Sequence, residues 1–182
     1  ANGKSLLSIP VSDAYEATLS LYLNNQLQDV VFMADGSWNV DYNKSSTVIK
    51  QFTVSNDAAA ATVKPTEVPL FRNVQMSATS SDFVSVYKLL KGGGAELDLS
   101  GYKTLNFKAA ASGANLRITL VKSSISKWNE QYTYYLPMTE AGKEYSIRLD
   151  DFKSSANQSM FYANDLTTAV FAFEVGTGKS TN

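Results

Sequence analysis

Short runs that alternate β-branched or aromatic residues with polar ones, broken by Gly, Asn, Asp and Ser, recur from Phe83 almost to the end of the chain. A two-residue period puts successive side chains on opposite faces, so such runs bury one face only as strands of an antiparallel sheet. The pattern predicts strands at Phe83–Leu89, 96–99, 104–111, Asn115–Lys122, 131–137, 143–149 and 167–175. Gly92-Gly93-Gly94, Ser112-Gly113-Ala114 and Ala141-Gly142 fall between them, where positive φ angles cost little. The fold class these signals specify is all-β, an antiparallel β-sandwich.

The first sixty residues read as a second, small β unit, with strands at 4–11, Ala17–Leu23, 27–33 and 47–55. Tyr15, Leu19, Tyr22 and Leu23 also fit a helical face, with Asp13 and Glu16 as a capping box. Against this, Ala17, Leu19, Leu21 and Leu23 alternate without a break, which favours a hairpin turning at Asn24-Asn25. The Ala-rich stretch 56–69, with Pro65 and Pro69, reads as a linker or a long crossover. The expected division is therefore residues 1–60 and residues 61–182, and no fixed-period repeat suggests a solenoid or propeller.

The chemistry the chain lacks narrows its function. It has neither histidine nor cysteine, which excludes Ser-His-Asp and Cys-His nucleophilic systems and the ordinary zinc sites. A glycoside hydrolase needs two carboxylates across a cleft. Asp150 and Asp151 are adjacent and on a strand would point to opposite faces, while Glu96 and Asp98 share a face but lead into an ordinary turn. No loop carries the Asp-x-Asp-x-Asp-Gly spacing specific for calcium, although these acids could supply oxygen ligands to a structural Ca2+. Gly92-Gly93-Gly94 lacks a following Lys-Ser/Thr at P-loop spacing and reads as a turn. A net charge of -1 without a basic run argues against nucleic acid. The apolar runs 30–34 and 169–173 are far shorter than the ~20 residues that span a bilayer. The chain is expected to be non-enzymatic, with no cofactor.

A sugar ring presents an apolar face of C–H bonds and a rim of hydroxyls, so it is held by a flat aromatic surface together with polar groups. Alternation places Leu116, Ile118 and Leu120 inward and Arg117 and Thr119 outward. By the same argument Asn106, Arg148 and Glu174 face outward from their strands. In Tyr132-Thr133-Tyr134-Tyr135-Leu136, a buried Leu136 takes Tyr132 and Tyr134 inward and leaves Tyr135 exposed. Trp128 sits in the polar loop 123–130, where no periodic pattern demands burial; it either contacts a ligand or plugs the end of the sandwich. Trp38 reads as a second platform or as an aromatic cap on a small core. The candidate ligand-binding set is thus Trp128, Tyr135, Arg117, Arg148, Asn106, Glu174 and Thr119.

The segments Leu97-Asp98-Leu99-Ser100-Gly101-Tyr102, Leu105-Asn106-Phe107-Lys108-Ala109, Leu116-Arg117-Ile118-Thr119-Leu120-Val121, Tyr145-Ser146-Ile147-Arg148-Leu149-Asp150-Asp151-Phe152 and Val170-Phe171-Ala172-Phe173 resemble one known family. Across 95–175, under half the chain, the similarity is to jelly-roll carbohydrate-binding modules of the galactose-binding-domain-like superfamily, found beside bacterial polysaccharide-degrading enzymes. Ser124-Ile125-Ser126-Lys127-Trp128-Asn129-Glu130-Gln131-Tyr132 also looks like a segment of C-terminal accessory domains in secreted bacterial glycanases. The resemblance implies a jelly roll that holds a polysaccharide or oligosaccharide on its concave sheet or end loops, often with a structural calcium. It further implies a secreted or cell-surface location and a catalytic domain elsewhere in the full-length protein. The chain opens Ala-Asn-Gly-Lys, so an export signal is expected to have been removed or to lie outside this sequence.

Overall fold

Alternation in the sequence is realised as β-strands joined by turns, with no α-helix among the described residues. The computed structural model describes residues 17–33, 37–56, 72–111, 115–137, 141–157 and 159–174. The strand expected at 4–11, nearly all of the expected linker and the turn at 112–114 lie outside them.

Strands β1 (Ala17–Leu23) and β2 (Gln26–Met33) form an antiparallel hairpin. Asn24 and Asn25 both carry positive φ, 50° and 62°, the backbone that a tight two-residue hairpin turn requires and that asparagine tolerates well. The hairpin reading of this stretch holds, and the helical one does not.

Next come β3 (Trp38–Tyr42), β4 (Thr47–Asn56), β5 (Arg72–Ser80) and β6 (Phe83–Leu89). β4 pairs with β5, and β3 pairs with β6, so backbone hydrogen bonding crosses the division expected near residue 60. The later strands are β7 (Thr104–Ala109), β8 (Asn115–Lys122), β9 (Tyr132–Pro137), β10 (Lys143–Arg148) and β11 (Leu166–Glu174). The strand expected at 96–99 shrinks to a single bridge between Leu97 and Leu166. Its end is turned by Asp98, whose carboxylate accepts the Ser100 N–H at 2.9 Å and is held below the ordinary carboxylate pKa by that bond.

The strands form a five-stranded antiparallel sheet, β3-β6-β11-β8-β9, and a two-stranded sheet, β10-β7. These face each other across one core: Leu116, Ile118, Leu120, Tyr132 and Leu136 meet Tyr145 and Ile147, with Phe107 and Leu105 packed against them. Phe107 joins the layers, stacking on Tyr145 at 5.4 Å and meeting Phe171 edge-on at 5.8 Å. Phe152, from the segment after β10, is fully buried between Tyr134 and Phe161. Complete burial of a side chain such as Ile118 or Phe152 stabilises the fold by about 1.5–3 kcal/mol. The inward assignment of Tyr132, Tyr134 and Leu136 is observed, as is the outward Tyr135.

Candidate functional site

Register decides which outward residues can meet. Opposed residues of an antiparallel pair project to the same face, so Arg117 and Tyr135 stand side by side on the outer face of the five-stranded sheet, as do Thr119 and Thr133. Beyond β9 the chain adds one more pairing, a bridge between Thr133 and Lys153 in which each N–H donates to the other's carbonyl at 2.8 and 2.9 Å. This bridge raises residues 151–155 as a wall along the sheet edge, anchored from below by Phe152. The one-turn 3₁₀ segment Trp128–Glu130 adjoins this wall and forms the rim.

Wall, rim and the neighbouring residues of β8 and β9 border a groove of about 550 Å³, lined by Arg117, Trp128, Asn129, Gln131, Thr133, Tyr134, Tyr135, Asp151, Lys153, Ser154 and Ser155. Two aromatic side chains in it are open to solvent, Trp128 at 50% and Tyr135 at 62% of their residue surface. Wall and rim are tied together: the Ser154 hydroxyl donates to the Glu130 carbonyl at 2.6 Å and the Ser155 hydroxyl to the Asn129 carbonyl at 3.2 Å. Lys127, next to Trp128, pairs with Glu130 at 2.9 Å; that hydrogen bond, helped by the carboxylate's charge, raises the Lys127 pKa. Lys153 donates its ammonium to the Asp150 carbonyl at 2.8 Å.

The structure brings together Trp128, Tyr135 and Arg117 of the expected set and places Arg148 and Asn106 elsewhere. Arg148 and Asn106 do face solvent, but from β10 and β7, whose inner faces pack on the core. They therefore sit on the opposite outer surface of the sandwich from Arg117 and Tyr135. There Arg148 pairs with Asp150 at 3.0 Å and the Asn106 amide donates to the Thr104 hydroxyl at 3.3 Å. The single face expected to join Arg117, Tyr135 and Arg148 is corrected accordingly: alternation gives a strand's outward side but not its sheet.

Thr119 is a second correction. It lies on the outer face yet is only 1% exposed, and its hydroxyl is buried with no hydrogen-bond partner among the described residues. β8 is an interior strand, and Thr119 is flanked in register by Val170 and Thr133. Val170 and Ala172 on the same face are buried as well. Glu174 pairs with Phe83 at the end of β11, and its side chain lies outside the described residues. Trp38 is partly buried against Phe171 of β11, ring centroids 6.0 Å apart, so it packs on the sandwich core and not on a separate small one.

Sequence reasoning missed Asn129, Asp151, Lys153 and Ser155. Their signal was faint: Leu149-Asp150-Asp151 continues the β10 alternation by eye but forms a 3₁₀ turn, and Phe152 marks where the chain re-enters the core. Among the described residues no three carboxylates gather to hold a metal ion, and no helix is long and apolar enough to cross a membrane. No protein-family model matches the chain, and no curated protein matches it.

Proposed function

We propose that this chain is a non-catalytic carbohydrate-binding module of jelly-roll type that attaches a secreted or cell-surface polysaccharide-degrading protein to its substrate through the Trp128–Tyr135 groove. The observation that carries the reading is the pair of solvent-open aromatic side chains, Trp128 and Tyr135, in one groove with Arg117, Asn129 and Lys153. Aromatic faces left in water are available to stack on the apolar face of a sugar, and the surrounding amide and cations suit its hydroxyl rim. Among the described residues lining the groove Asp151 is the one carboxylate, where glycoside cleavage by its usual route takes two.

A shallow groove of this kind suits millimolar to micromolar affinity, about -4 to -8 kcal/mol. Affinity electrophoresis against plant, algal and microbial polysaccharides tests it. At least one glycan should retard the parent, and Trp128→Ala or Tyr135→Ala should weaken binding about 10-fold, equivalent to about 1.4 kcal/mol of lost stacking. Failure of every polysaccharide to retard the parent sinks the proposal; retention of binding by both variants removes the groove as its site. A structural or adhesive module is the second reading, drawn from the exposed Met160 and Tyr162 on either side of the buried Phe161 in a loop. In that case no glycan shifts the thermal midpoint.

A further inference from the structure

We infer that Gln131 is a positioning residue for the ligand-binding site, its buried carboxamide fixing the loop that presents the Trp128 ring. This rests on the reading of Trp128 as a sugar platform. The loop between β8 and β9, residues 123–131, is nine residues long and mostly polar, and Trp128 is half exposed, so burial of the ring does not itself fix where it stands.

What fixes the loop is side-chain hydrogen bonding to its backbone. Gln131 is 4% exposed and uses both ends of its amide. Its Oε1 accepts the Lys122 N–H at 2.9 Å, and its Nε2 donates to the Lys122 carbonyl at 3.1 Å and to the Ile125 carbonyl at 2.7 Å. The amide thus stands in for a peptide group one step past the last β8–β9 pair, Leu120 with Tyr132, and then reaches into the loop. The Gln131 N–H donates to the Trp128 carbonyl at 3.2 Å, so the residue that anchors the amide also closes the turn bearing the ring.

The start of the loop is held separately. Asp165 accepts the Ser123 N–H on its carbonyl at 3.0 Å and the Ser124 N–H on its carboxylate at 3.1 Å. The same carboxylate pairs with the buried Lys122 ammonium, which also donates to the Asn164 side-chain oxygen at 2.9 Å. Ile125 packs against the core. Between these anchors the stretch from Ile125 to Glu130 is tied by Gln131 at Ile125 and Trp128 and by the Ser154 and Ser155 hydroxyls at Glu130 and Asn129, and Gln131 is the one of the three that holds the Ile125 end. Ordering it before the ligand arrives spares the complex that entropy, and affinity rises without any new ligand contact.

The test uses Trp38→Phe as background, which leaves Trp128 as the sole tryptophan. In that background Gln131→Leu removes the amide at similar size, and Gln131→Glu keeps the acceptor for Lys122 but loses both donors. Ile147→Val, on the other sheet, is the control for general loss of stability. Time-resolved fluorescence anisotropy of Trp128 without ligand is the first readout, and retardation by a glycan that binds the parent is the second.

Gln131→Leu should lower the residual anisotropy and weaken retardation about 10-fold, as lost preorganisation would; Gln131→Glu should fall between it and the parent, and Ile147→Val should change neither. Unchanged anisotropy in folded Gln131→Leu overturns the inference, and so does an equal drop in Ile147→Val. Should Gln131→Leu fail to fold, Gln131→Glu decides by the same readouts. Failure of the parent to bind any glycan overturns the functional reading on which the inference rests, a result separate from the anisotropy.

Discussion

Replacing Thr119 by valine should make the protein more stable. Thr119 is 1% exposed at the middle of β8, between Val170 and Thr133, and its hydroxyl has no partner among the described residues. Valine keeps the β-branched shape and strand preference and exchanges the hydroxyl for a methyl. Burying an unbonded hydroxyl costs about 1–3 kcal/mol by mutational measures, and valine removes that cost. Allowing for imperfect fit of the methyl, the net gain is about 1–2 kcal/mol. In a chain of this length that corresponds to about 2–8 °C in the thermal midpoint. Calorimetry and urea unfolding should both report it, with an unchanged m-value.

Thr133→Val is the matched contrast, because the Thr133 hydroxyl does have an acceptor, the Lys153 carbonyl at 3.4 Å, and should show no gain. A midpoint that falls in Thr119→Val refutes the reasoning, since the hydroxyl must then be bonded in solution. Glycan retardation should be unaffected, as Thr119 does not line the groove; its loss in Thr119→Val would return Thr119 to the ligand-binding set.

Two further outcomes bear on the same regions. Burial pushes the Asp165 carboxyl up, but hydrogen bonds from Lys122 and Ser124 and the Lys122 charge outweigh it and hold the group below its ordinary pKa. A depressed carboxylate stabilises the fold above its unfolded pKa and loses that contribution as pH falls through the folded value. Urea midpoints of parent and Asp165→Asn should therefore differ at neutral pH, and the gap should narrow as pH falls below the ordinary carboxylate pKa and close once it has passed the depressed folded value. At neutral pH the gap should be about 1.5–3 kcal/mol, because the substitution removes the charged partner of a buried ammonium that keeps the Asn164 side-chain oxygen and the Tyr162 carbonyl as acceptors. Arg148→Ala and Asn106→Ala should leave glycan retardation within about twofold of the parent, since both lie across the core from the groove and exposed sites contribute little beyond their own contacts. A larger loss in either would place the binding surface on the β7–β10 sheet.

The parts of this molecule legible in its sequence are those that local period decides. Phe83–Leu89 and Asn115–Lys122 were readable to the residue because each is bounded by turn signals and carries strong β-formers on its inner face. Tyr135 could be separated from Tyr132 and Tyr134 because Leu136 fixed the parity of the strand. β5 escaped notice because Asn73, Gln75 and Ser77 alternate with nothing stronger than Val74, Met76 and Ala78, and β3 because five residues give too few turns of the pattern.

Sheet membership is another matter. Arg117 and Arg148 have the same local pattern, an arginine between inward aliphatics, and end on opposite surfaces because β8 pairs with β9 and β11 whereas β10 pairs with β7. The groove depends on the same kind of information. Its wall exists because Lys153 bridges Thr133 twenty residues earlier, and its rim stands where it does because Gln131 reaches back to Lys122. Trp128 could be picked out from sequence because a loop tryptophan is conspicuous, but the hydrogen bonds that hold its loop come from a glutamine and two serines that look like ordinary surface residues until the pairings are known.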